Sequence, residues 1–209
     1  FGRISSGDKE VREVRQISKA ANFGYPGGMG AEKFRQFASG YGVTLSQRQA
    51  SDLRENWFNA WPEMRRYFNH ISSITNHPNG QLKQFHSNRL RGGLRFTSAC
   101  NSYFQGLAAD GAKAALYHVV RKCYSDLQSA LFGSRPVMFI HDEIILEAPV
   151  ACASAAADEL SETMKQAMQV VCPDVKIRTS VALMPRWYKD ADEVRNDKGE
   201  LLIWERDNE

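Results

Sequence analysis

Cysteine is scarce in this chain and nowhere arranged for chemistry. Cys100, Cys123, Cys152 and Cys172 form no Cys-x-x-Cys pair, and no His lies at zinc spacing from them. That excludes a Cys-based zinc site or a dithiol motif on spacing. The four are expected to be reduced, mostly buried thiols of an intracellular, cytoplasmic protein. No apolar run approaches the ~18 residues of a membrane span, and no secretory leader opens the sequence, so no membrane partner is expected. Internal repeats and low-complexity linkers are missing too. So is any large charge excess: 27 basic against 24 acidic residues leave +3, too little to argue nucleic-acid binding from charge alone. What remains is a chain of 209 residues, 43% hydrophobic and 24% charged, ordinary for a globular protein with one sizeable core. Its charge is uneven: basic residues dominate from Arg3 to Arg95, and Asp190 to Glu209 is acidic. The first residue is Phe1 rather than Met, which points to a start inside a longer protein.

Asp8 can cap a helix whose first turn carries Glu10, both favourable at the positive end of a helix dipole. At about 100° per residue, Arg12, Arg15, Lys19 and Phe23 share one stripe, with Val14, Ile17 and Ala21 roughly opposite and facing the protein. Three cations followed by a ring suit a nucleoside triphosphate, with phosphates on Arg and Lys and the base or sugar against Phe. A solvated basic face accounts for the spacing equally well. Pro26 lacks an N–H for the Asn22 carbonyl and disfavours helix at Tyr25, so this helix should end or kink near Gly24.

Downstream, Ala31 to Ser39 reads as a short helix stopped by Gly40. Thr44 or Ser46 can cap a helix running towards Ala60, and Pro62 opens another towards Thr75. The aromatics Trp57, Phe58 and Trp61 are expected in the core of this helical lobe. His77-Pro78-Asn79-Gly80 is a turn. Gln81 to Arg95 suggests a short hairpin whose Arg89, Arg91 and Arg95 either lie over a phosphate backbone or are merely solvated. Asn101 to Ser125 is a helix with little side-chain bulk. Two glycines inside it, Gly106 and Gly111, cost about 1 kcal/mol each against Ala and ask for a packing or ligand reason. Asn101 and Gln105, one turn apart, offer amide donors for the minor-groove acceptors common to all base pairs; a helix cap and a surface Gln are the plainer reading.

Val137 to Leu146 is an apolar run interrupted by His141-Asp142-Glu143, which reads as two buried strands with the polar triplet at the tip. Buried carboxylates need a neutralising cation, and Mg²⁺, which shares carboxylates with substrate phosphates, is the natural one. A charged turn is the alternative. Ala151 to Val171 is an amphipathic helix able to cover one sheet face, Lys176 to Met184 alternates like a returning strand, and Glu193 to Glu205 reads as a hairpin around Asn196-Asp197-Lys198-Gly199.

Four of these segments carry a resemblance. Arg15-x3-Lys19-x3-Phe23-Gly24 resembles motif B of the family A DNA polymerases, the bacterial polymerase I type. Gln105-Gly106-Leu107-Ala108-Ala109-Asp110 is similar to that family's Gln-Gly-x-Ala-Ala-Asp segment, with Asn101 also matching. His141-Asp142-Glu143 resembles motif C, and Arg186-Trp187-Tyr188 resembles the final palm strand. Glu143 favours DNA over RNA synthesis, since single-subunit RNA polymerases usually place Ser there.

The resemblance implies an α+β fold: helical fingers of a right-hand polymerase over residues 1–80, and a palm portion with an antiparallel sheet, the motif C hairpin and a C-terminal extension over residues 81–209. It implies that Arg15 and Lys19 grip the triphosphate of a dNTP, Phe23 packs beside the nucleotide, Asp142 ligates Mg²⁺ with Glu143 assisting, and Asn101, Gln105 and His141 touch primer-template DNA. Departures accompany it. The family's Tyr four residues after Phe23 is Gly27 here, a variant of phage-type members, and Tyr25 is expected to take its place beside the nucleotide. An Arg frequent four residues before Asn101 is Thr97. No strand bearing the motif A Asp precedes Arg15, so that strand and the thumb are expected in an N-terminal partner portion. The implied activity is template-directed addition of a dNTP to a primer 3′-hydroxyl with release of pyrophosphate, absent from the isolated chain. The rival expectation is a catalytically incomplete piece that binds DNA or nucleotide only.

Overall fold

In the computed structural model, residues 9–189 and 191–206 are described. Three local signals start and stop the first helices. α1 covers Lys9–Gly24 and ends where Pro26 dictates; Asp8, the expected cap, lies outside the described residues. α2, Ala31–Ser39, stops at Gly40, whose N–H bonds back to Phe37 O at 3.1 Å. α3, Gln47–Ala60, begins on a reciprocal cap. Gln49 N–H donates to Ser46 Oγ (3.2 Å) and Ser46 N–H donates to Gln49 Oε1 (2.9 Å), which satisfies two donors that the first turn would leave open. α4, Glu63–Thr75, follows Pro62. A hairpin comes next, β1 (Gln81–Lys83) antiparallel to β2 (Leu90–Gly92), with Leu82 opposite Arg91. α5 runs from Phe96 to Ser125 and so starts a turn earlier than its small-residue composition suggests.

Two compact units divide the chain between Gly106 and Leu107. In the first, α1, α2 and α3 close over Ala20, Ala21, Tyr25, Phe34, Ala38, Trp57 and Phe58. A second cluster holds Ile71, Leu82, Ala99 and Cys100 between α4, β1 and the start of α5. Burial raises the Cys100 thiol to about 11. The hairpin arginines are tied to α5. Arg91 donates to Ser102 Oγ at 2.8 Å and Arg89 to the Gly106 carbonyl at 3.3 Å. Gly106 admits this approach, because a Cβ there would sit 2.6 Å from Gln84 Oε1.

The second unit contains the rest of α5, the hairpin β3 (Arg135–Ile140) and β4 (Glu143–Glu147), a single 3₁₀ turn at Val150–Cys152, α6 (Ala153–Val171), and the ribbon β5 (Val194–Arg195) with β6 (Leu201–Leu202). Val119, Cys123, Leu131, Ile144 and Ala156 form its core. Gly111 is a packing glycine. A Cβ would meet Met168 Sδ at 2.5 Å and Val171 at 2.8 Å. Glu159 fastens α6: it accepts from Lys122 Nζ (2.7 Å) and from Ala130 N–H (2.6 Å).

Five expectations are corrected. Lys176 to Met184 is not a strand; it meets the ribbon through one parallel bridge from Leu183 to Ile203, with Trp204 N–H donating to Leu183 O at 2.7 Å, and α6 through a Ser161–Thr179 hydroxyl contact at 2.5 Å. The half-burial of this segment against α6, rather than a ladder, explains its alternation. Strands among the described residues therefore form three separate two-stranded antiparallel ribbons, a mixed helical and antiparallel arrangement of the α+β class. β3 is not a buried strand, because packing falls on its partner's Ile144 while Val137 and Met138 are about half exposed. Trp61, at the end of α3, and Val14, on α1, face solvent. Of the thiols, Cys100 and Cys123 are buried and Cys152 and Cys172 only partly so. No helix among the described residues is long and apolar enough to cross a membrane.

Candidate functional site

In the first unit, the α1 stripe is displayed as its spacing requires. Arg15 and Lys19 are exposed one turn apart, and Phe23 follows one turn later with 57% of its surface open. Lys19 Nζ lies 5.8 Å from the centre of the Tyr41 ring, a cation–π contact that steadies the ammonium. Tyr41 escaped the sequence reading because nothing near it in the chain marks it as a neighbour of Lys19. Asn22 is held at the helix end by Trp57, whose Nε1–H donates to Asn22 Oδ1 at 3.3 Å.

Tyr25 needs correction. Its ring is 1% exposed, 4.2 Å from Phe34 and 5.7 Å from Trp57, and its hydroxyl donates to the Ala50 carbonyl at 3.0 Å. Burial pushes the hydroxyl's pKa well above the ordinary tyrosine range, with Arg54 opposing weakly. A buried ring packed against Phe34 and Trp57 and bonded at its tip belongs to the core and is not available to a nucleotide. The chain turns out of α1 through Gly28, whose φ of 75° is left-handed and whose Cβ would strike Phe96 at 2.8 Å. Gly27 sits against Asn101: a Cβ there would be 2.9 Å from Nδ2. The position that carries Tyr in the family pattern thus has no room for any side chain while Asn101 stays where it is.

Asn101 itself donates through Nδ2 to the Thr97 carbonyl one turn back, at 3.1 Å. Gln105 is exposed one turn further along α5. The first unit therefore brings Asn101 to Gly27, and presents Gln105 separately on the same helix.

In the second unit, His141 and Asp142 form the two-residue connection between β3 and β4, with Ile140 opposite Glu143. His141 takes a left-handed φ of 54°, which His tolerates better than most residues and which a tight hairpin turn asks for. His141, Asp142 and Glu143 are all exposed, so the premise that both carboxylates are buried does not hold. Glu143 Oε1 accepts from Trp187 Nε1–H at 3.1 Å, a contact spanning 44 positions in the chain. Asp142 and Glu143 thus stand adjacent at a projecting tip, Glu143 oriented by an indole. Among the described residues no group of three or more His, Cys, Asp or Glu could hold a metal by itself.

Comparisons with known proteins bear on these segments. Residues 4–189 match the family model "DNA polymerase family A". The chain is 30% identical over 183 residues to DNA polymerase I of Aquifex aeolicus, covering 86% of this chain and 31% of that protein. It is 26% identical to DNA polymerase I of Deinococcus radiodurans, over 83% of this chain and 18% of the relative. With DNA polymerase I of Caldicellulosiruptor bescii the identity is 26%, over 85% and 21% respectively. The chain spans a third or less of each of these relatives. With the match extending from before α1 to beyond the Trp187 contact, this chain belongs to DNA polymerase family A.

Proposed function

We propose that the chain supplies the fingers (residues 1–80) and most of the palm (81–209) of a right-hand DNA polymerase, a DNA-directed nucleotidyltransferase. The observation that carries this is the His141-Asp142-Glu143 turn, two carboxylates projecting from a tight hairpin in a family A chain. Arg15 and Lys19 bind the triphosphate of the incoming dNTP and Phe23 packs beside its base or sugar. Asn101 and Gln105 meet the minor groove of primer-template DNA, and His141 steadies the primer end.

Hard carboxylate oxygens on Asp142 and Glu143 suit Mg²⁺, which takes one or two protein carboxylates and completes its shell with phosphates and water. The donor set therefore fits, as a part of a site shared with another carboxylate. Asp142 would hold the ion and Glu143, oriented by Trp187, would support it. The chemistry an ion held there would supply is charge neutralisation at the phosphate and activation of an attacking oxygen. The chain's own residues do the rest: Arg15 and Lys19 orient the triphosphate for in-line displacement and offset charge as pyrophosphate leaves.

The lack of a three-residue metal group among the described residues favours a second reading, in which the chain alone only binds nucleotide or DNA. The two separate in a complementation assay. Mixed with a polypeptide representing the remainder of a polymerase I-type protein, with its Asp-bearing strand and thumb, the chain should extend a primer; alone it should not. Extension by the purified chain alone would contradict the division of labour, and no extension from the mixture would leave the binding reading. In the assembled enzyme, Arg15→Ala and Lys19→Ala should each lower catalytic efficiency by ~10²–10³-fold, as for loss of one preorganised donor. The loss should be alike for all four dNTPs, since phosphates are common to them; a base-selective effect would contradict a phosphate role.

A further inference from the structure

From Met64 to Ala109 the chain carries no Asp or Glu, while Arg65, Arg66, Lys83, Arg89, Arg91 and Arg95 lie within it. This stretch builds α4, β1, β2 and the start of α5, and as far as Gly106 it lies in the first unit. Three of the cations have internal work: Arg65 pairs with Glu55 at 2.8 Å, and Arg89 and Arg91 hook onto α5. Arg66, Lys83 and Arg95 are exposed.

The same segment carries a cluster of rings. Tyr103 stacks with His70 (6.3 Å, 28°) and lies tilted against Phe85 (5.1 Å, 32°), and Phe85 is 60% exposed. Phe85 is held firmly. Its carbonyl accepts from Ser87 N–H at 2.7 Å, inside a loop closed by Gln84 N–H to Arg89 O (2.8 Å) and Asn88 N–H to Gln84 O (3.1 Å). Left-handed conformations at His86 (63°) and Asn88 (55°) fix the loop's path. Along β1, Gln81 and Lys83 are exposed while Leu82 is buried, and Phe85, in the turn two residues beyond Lys83, is exposed as well. On α4, Arg66 lies one turn from His70.

We propose that this surface binds single-stranded nucleic acid, apart from the residues assigned to dNTP and primer-template. A base stacks on the open surface of Phe85, continuing the Tyr103–His70 stack, and the flanking phosphates fall to Lys83, Arg66 and Arg95. Clustered rings with an exposed outer member suit the π-face of a base, and a segment that contributes cations and no carboxylate suits a polyanion. An acidic peptide would use the cations but not the stack.

The test is fluorescence anisotropy of the full chain with labelled oligo-dT of about 12 nucleotides, the scale of single-strand sites. Oligo-U of equal length shows whether the sugar matters, and polyglutamate serves as competitor. Phe85→Ala should weaken binding roughly 5- to 150-fold, the range given by base–aromatic stacking, with the melting temperature and salt dependence unchanged. Phe85→Trp should retain affinity. Lys83→Ala should reduce the salt slope by about 0.7, one single-strand phosphate contact. Binding by Phe85→Ala equal to that of the parent protein, or polyglutamate competing as well as unlabelled oligo-dT, would overturn the proposal. Phe85 lies outside the residues assigned to primer extension, so either result leaves that reading to its own assay.

Discussion

Replacing Asp142 by Asn is expected to lower Mg²⁺-dependent primer extension by the assembled polymerase by ~10⁴-fold, with little change in stability. The magnitude follows from the several kcal/mol that a positioned ion contributes to phosphoryl transfer, at about 1.4 kcal/mol per decade of rate. Stability should survive because Asp142 is an exposed turn residue; the hairpin is pinned instead by the β3–β4 ladder and by Ile144 in the core. Binding of dNTP should also survive in large part, since the triphosphate contacts assigned to Arg15 and Lys19 remain. Single-turnover extension and dNTP binding, measured on the same preparation, separate these quantities. An Asp142→Asn enzyme within tenfold of the parent would remove Asp142 from the metal site. A parallel fall in melting temperature would mean that the turn had been disturbed and the rate loss was indirect. Glu143→Gln is the informative companion. Its side chain can still accept from Trp187, so a smaller loss than for Asp142→Asn is expected if Glu143 supports rather than ligates.

The local parts of this fold were readable because their causes are local. Gly40, the Ser46/Gln49 cap and Pro62 each act on backbone groups within a turn, and the helices begin and end at them. The turn at His77–Gly80 between α4 and β1 and the hairpin turn at His141–Asp142 follow the same logic. What escaped depends on partners distant in sequence. Trp61 continues an aromatic run, yet the α3 surface buried against α1 and α2 stops at Trp57 and Phe58. Arg89 and Arg91 read as free loop cations until the hairpin is laid against α5, where they become hooks. Val137 to Leu146 reads as wholly buried because hydrophobicity alone does not say which side of a ribbon meets helices; here Ile144 does, and Val137 does not. For the candidate site, residue identities were legible from the resemblance, since Arg, Lys and carboxylates stand at characteristic spacings. Their supporting contacts were not. Tyr41 beneath Lys19, Trp187 on Glu143 and Asn101 against Gly27 all join separate elements.

Tyr25 is where local and distant causes conflict, and its removal is expected to be felt as stability rather than as fidelity. Tyr25→Ala should cost about 3–5 kcal/mol, the range for truncating a fully buried aromatic, through a cavity bounded by Phe34 and Trp57. That is ~10²–10⁴ in the folding equilibrium. Tyr25→Phe keeps the ring and loses only the hydroxyl bond to Ala50, so about 1 kcal/mol is expected. The two variants also differ in pH response. Because burial raises the folded-state pKa of the hydroxyl, the neutral form is favoured by folding. Its contribution is complete below the ordinary tyrosine value and is lost as pH rises above it. Denaturant unfolding at neutral and at alkaline pH should therefore show a stability decline in the parent protein that is shallower in Tyr25→Phe. Nucleotide selection provides the contrasting readout. In the assembled polymerase, Tyr25→Phe should leave dNTP KM and misincorporation unchanged, because the ring faces Phe34 and Trp57 and its tip faces Ala50. Unaltered melting of Tyr25→Ala together with increased misincorporation would place the ring beside the nucleotide and out of the core.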